Sequence, residues 1–161
     1  MNDMLVPEFI RQMEAEEKRR SVEIDAGREA EMRAAAVIAL EGPEFFRQFL
    51  KEVALAVESL SRIGLTGSLS PIYIPEHGEQ LYRVTVARIG SISKHRFVDI
   101  YFHLEAGTFR CFPQEGAPYH FSLSLQAEGS VRAVGQDQYA GMRATELSAF
   151  VVKGLICVVR R

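Results

Sequence analysis

The chain has 161 residues, 47% hydrophobic and 25% charged, with a formal net charge of −2. This length suits one domain that buries a core without disulfides or a structural metal, and the composition excludes wholesale disorder. Near-neutral charge excludes a global attraction to nucleic acid or an anionic membrane, so only local patches remain to be considered.

The opening stretch MNDMLVPEFIRQMEAEEKRR lacks the basic and then apolar order of a secretory signal, and a cytoplasmic protein is expected. From Pro7 to Leu40 helix formers dominate. Apolar residues are sparse there: Val6, Phe9, Ile10 and Met13 group together, and only Val22 and Ile24 precede MRAAAVIAL. Residues 1–41 therefore read as a helical arm, bent near 25–27, where Gly27 weakens the helix by about 1 kcal/mol relative to alanine. Lys18, Arg19 and Arg20 follow Glu14, Glu16 and Glu17 and suit i, i+4 pairs on a solvated face.

Residues 42–161 read as an α+β domain. The segment from Pro43 to Ile63 predicts a helix, with Pro43 at its first position, Phe46, Phe49, Leu50, Val53, Val57 and Leu60 on one stripe, and Gly64 as its C-terminal cap. About five strands follow as an antiparallel meander: PIYIP, QLYRVTVARI, HRFVDIYFHLEA, TFRCFP and YHFSLSLQ. GLTGSLSP and GSVRAVGQDQ read as connections. A two-residue turn at Ala106-Gly107 would set His103 opposite Arg110 and Phe102 opposite Cys111. Alternation then collects Tyr82, Val84, Val86, Ile100, Phe102, Leu104, Phe109, Cys111, Tyr119, Phe121, Leu123 and Leu125 on one buried face. A C-terminal helix within AGMRATELSAFVVKGLICVVRR packs on that same face, with LICVV open to either helix or strand. LSAFVVKGLICVV carries Lys153 and is too short for the roughly 20 apolar residues of a membrane span, so it belongs to the core.

The chemistry-bearing residues exclude several simple functions. His95, Asp99 and His103 would line one face of a helix, but on a strand the two histidines stand roughly 26 Å apart and cannot share a metal. Asp99 is likewise too far along the strand to orient His103 for nucleophilic attack by Ser122 or Ser124. His77 with Glu76 and Glu79 is a weak ligand set, and Cys111 and Cys157 read as reduced thiols among apolar neighbours. No phosphate-binding glycine loop is present. No catalytic residue, cofactor or metal is assigned, and a non-enzyme is expected.

Three functions remain. The leading one is a protein-contact or assembly module, a homo-oligomer or a subunit with a protein partner. It would use the arm or the outer sheet face, where Arg83, Tyr101, His103, Arg110, Phe112 and His120 form a mixed aromatic and basic platform. The second is a small-ligand module or enzyme with an apolar cavity between a curved sheet and the last helix, lined by Tyr82, Phe102, Tyr119 and Phe121. The third, single-stranded nucleic acid stacked on the outer face, is the least favoured, and no membrane contact is expected.

Overall fold

In the computed structural model, residues 7–76, 78–135 and 141–161 are described, with side chains at all of them except 92–94. The architecture is α+β. A helix, α1 (Glu8–Ser59), and a short 3-10 turn (Leu60–Ile63) lead into strands β1 (Leu65–Tyr73), β2 (Glu79–Arg88), β3 (Ser91–His103), β4 (Thr108–Pro113), β5 (Tyr119–Leu125) and β6 (Val131–Gly135), and helix α2 (Ala144–Arg160) follows. The strands form one antiparallel sheet in the order β1-β2-β3-β4-β5-β6. The chain divides into two compact units, Met1–Ala36 and Val37–Arg161.

Three expectations are corrected. The first concerns the helices. Residues 8–59 form one helix, with Pro43 in its interior and not at a start. A proline there removes a single N–H, the one that would reach the Ala39 carbonyl, and strong helix formers on both sides carry the backbone through. Residues 25–27 lie inside this helix. It ends where expected: Gly64 takes the left-handed conformation (φ 75°), and its N–H donates to the carbonyls of Leu60 and Ser61.

The second concerns the strand count, which is six. The strand expected at PIYIP is the end of β1, which begins earlier, within GLTGSLSP, and VRAVG, inside the other expected connection, is the added strand β6. Serine and glycine hide the first part of β1 from a propensity reading, yet Gly67 has a packing reason to be there. A Cβ on it would stand 2.6 Å from the Thr85 carbonyl oxygen and 2.8 Å from Leu60 Cδ1. Only glycine lets the strand approach both its neighbour and the helical turn so closely.

The third concerns the β3–β4 hairpin. Phe102 pairs with Phe109, His103 with Thr108, Tyr101 with Arg110 and Ile100 with Cys111. The turn therefore spans Leu104 to Gly107 instead of two residues, with Gly107 at φ 62°. A slip of two residues changes every partner but preserves the face of every side chain, because side chains alternate with a period of two.

The inner face is consequently as expected. Val84, Val86, Val98, Ile100, Phe102, Phe109, Cys111, Phe121 and Leu123 are buried on it. Phe45, Phe46, Phe49 and Val53 of α1 cover one part, and Leu147, Val151, Val152, Leu155 and Val159 of α2 join the same core. Aromatic rings bind the layers together: Phe46 lies 4.6 Å from Phe102 and 5.6 Å from Phe109, centroid to centroid, and Phe109 stacks on Phe121 at 5.1 Å. LICVV is the last part of α2 and not a strand.

Candidate functional site

The outer face of the sheet is built by the residues that alternate with this core. The strand pairings place Tyr73 beside Leu81, Leu81 beside Tyr101, Tyr101 beside Arg110 and Arg110 beside His120. One row therefore crosses five strands. Phe112 meets Tyr101 edge to face at 5.4 Å, and the His120 ring stands 6.4 Å from Phe112. At its β1 end Tyr73 is largely exposed, and the middle of the row is aromatic.

Its cations are paired within the chain. Arg83 sits opposite Asp99 and donates to both carboxylate oxygens, Nε at 2.7 Å and Nη2 at 2.9 Å, while its guanidinium lies 3.9 Å from the Phe97 ring centroid. Its hydrogen bonds to the Asp99 carboxylate raise the Arg83 pKa above its ordinary value. Arg110 is bound to Glu79, and its guanidinium is 5.6 Å from the Tyr101 centroid. Two arginines and two carboxylates thus leave the face close to neutral.

Of the residues expected in the platform, Arg83, Tyr101, Arg110, Phe112 and His120 are brought together. His103 is placed differently. It lies opposite Thr108 and not Arg110, and its Nδ1 accepts the Ala106 N–H at 3.1 Å, so it braces the hairpin turn. Glu79, Leu81, Phe97 and Tyr73 belong to the face but are absent from the platform expected from the sequence. Alternation along QLYRVTVARI already sets Leu81 and Arg83 on one side, a signal that was available for Leu81 and Glu79. Phe97 was available by the same logic from Asp99. Asp99 is committed to Arg83, which adds a second reason why it does not orient His103.

A separate hollow of about 250 Å³ lies between α2 and the end of the sheet formed by β3, β4 and β5. Val98, Pro113, Tyr119, Val151, Leu155 and Val158 supply its apolar walls, with Arg96, Glu115 and Gly154 also lining it. Of the four residues expected in a cavity, only Tyr119 lines this one. Phe102 and Phe121 are core residues, and Tyr82 packs edge to face on Phe102 at 5.6 Å. The space opens at the sheet's end because the middle is already filled by phenylalanines from α1, β3, β4 and β5.

Two residues of the hollow have unusual environments. Arg96 Nε is shielded from solvent and makes no hydrogen bond, although it lies 3.1 Å from Glu115 Oε1, and one Nη donates to the His95 carbonyl at 2.9 Å. Gly154 stands in the middle of α2, and a Cβ built on it meets nothing within 4 Å. Among the described residues no group of three or more His, Cys, Asp or Glu side chains is placed to hold a metal ion, and no helix is long and apolar enough to cross a membrane. His77 lies outside the described residues. No family model, curated protein or solved structure matches the chain.

Proposed function

We propose that the protein is a non-enzymatic assembly module that self-associates through the outer face of its sheet. The observation that carries this reading is the row Tyr73, Leu81, Tyr101, Arg110 and His120, continuous across five strands. Aromatic residues and arginine are the types that anchor protein interfaces, the aromatics because they bury large areas at small entropic cost and arginine because its planar fork makes several directed hydrogen bonds. A second copy is favoured as occupant by the charge arrangement. In a two-fold contact each patch meets itself, and a face whose arginines are already paired with Asp99 and Glu79 meets its copy without like-charge repulsion. The same pairing disfavours a polyanion, since Arg83 and Arg110 would have to exchange a carboxylate for a phosphate.

Light scattering coupled to size exclusion, on the full chain at micromolar concentration, tests this. The expected result is a dimer or larger species, with Tyr101→Ser combined with Phe112→Ser weakening association by about 30-fold or more, as loss of a central aromatic anchor does. Circular dichroism of the double variant should match the unsubstituted chain, since both rings lie outside the core. A monomeric full chain, or a folded double variant with undiminished association, overturns the reading.

A further inference from the structure

We infer that the hollow between α2 and the sheet binds a small monocarboxylate with an apolar tail, and that Gly154 is glycine in order to keep it open. Nothing in the backbone demands glycine there. Gly154 is inside a regular helix, its φ is not positive, and a Cβ would touch nothing within 4 Å. An interior glycine costs about 1 kcal/mol relative to alanine, a cost that no packing contact at this position offsets. What the missing side chain does provide is an open rim, since Gly154 lines the hollow together with Val151, Leu155 and Val158.

Size and chemistry define the occupant. An apolar engineered cavity of 150 Å³ is enough for benzene, so about 250 Å³ accommodates a chain of about eight carbons. The walls offer it valine, leucine, proline and tyrosine. At one end, Arg96 belongs both to this hollow and to a neighbouring one lined by Arg88, Arg96, Val158, Val159 and Arg161. Arg88 spends one donor on the Arg160 carbonyl at 3.3 Å, leaving further guanidinium donors. Glu115 is the carboxylate facing Arg96, and the Nε hydrogen between them makes no hydrogen bond. That Nε is shielded from solvent and faces Glu115, so a ligand carboxylate in the hollow would meet the remaining Nη donors of the guanidinium, which a neutral alcohol or an amine would satisfy less well.

Isothermal titration with octanoate, and with octanol as the uncharged comparison, tests the assignment on the full chain. Expected are saturable octanoate binding below about 1 mM, octanol binding at least about tenfold weaker, and a loss of about tenfold or more for octanoate in Arg96→Gln. Gly154→Leu should abolish octanoate binding by filling the rim. Gly154→Ala should raise the thermal midpoint of the free protein while weakening octanoate, a combination that general damage to the fold does not produce. No saturable octanoate binding, equal binding of octanol, or unchanged binding in folded Gly154→Leu overturns the inference. Should Arg96→Gln fail to fold, the Gly154 pair and the octanol comparison decide it. The result is independent of self-association through the opposite face of the sheet.

Discussion

Cys111 and Cys157 carry the same group into opposite environments, one buried on the inner sheet face and the other exposed on α2. Burial pushes the Cys111 thiol up to about 12, against a smaller opposing effect from its hydrogen bond with Tyr119. Tyr119 is itself raised above the ordinary tyrosine range, by burial first and then by Cys111. Both groups are neutral when protonated, and their folded pKa values exceed the unfolded ones. Their contribution to stability is therefore complete below about pH 8.5 and is lost as pH rises toward 12. The urea midpoint is expected to fall steadily between about pH 9 and 11, and to fall less steeply in Cys111→Ala. At pH 8 a thiol reagent should modify one cysteine of the native chain rapidly and both in denaturant. Apolar surroundings made the reduced core thiol legible for Cys111 in the sequence. For Cys157 they misled, because its neighbours Ile156 and Val158 lie on a helix, where adjacent residues point to different faces.

At the scale of elements, two glycines that look alike in sequence have opposite roles. Gly42 is buried in α1, but a Cβ there would meet the Leu104 carbonyl oxygen and Leu123 Cδ1 at 3.5 Å, ordinary contact distances. Gly42→Ala is expected to stabilise the protein by about 1 kcal/mol, because alanine is the better helix former and has room. Gly67→Ala should instead destabilise by about 1–3 kcal/mol, since β1 would have to move away from Thr85 or Leu60 would have to repack. Urea melts of the two variants check both signs. Periodicity made the C-terminal part of α1, the strands β2 to β5 and α2 legible, because each has one apolar face. It missed β6 and all but the end of β1, whose short or serine-rich segments bury only a few side chains. It also placed a break at Pro43, because a proline at a helix start and one inside a helix leave the same mark on a sequence.

At the scale of the molecule, the buried core runs from Phe45 to Val159 and lies wholly within the unit Val37–Arg161. A fragment of residues 37–161 is therefore expected to unfold cooperatively, with a urea midpoint close to that of the full chain. A broad transition, or loss of the fold, would show that residues before 37 contribute to the core. In the helical unit before that boundary Phe9, Met13, Val22 and Met32 are exposed, so its removal strips little buried apolar surface.

The sequence by itself determined the α+β class, the antiparallel meander and the inner face of its central strands, because alternation with a period of two and stripes at three- and four-residue spacing are direct consequences of burying one side of each element. Those patterns survived a two-residue error in register. The tertiary structure alone decided which residues meet: that Arg83 is held by Asp99 and Arg110 by Glu79, that His103 braces a turn, and that the open space lies beside Arg96 and Gly154. Pairings across strands depend on turn length, and a hollow depends on where large side chains from several elements fail to meet. Neither quantity is local in the chain.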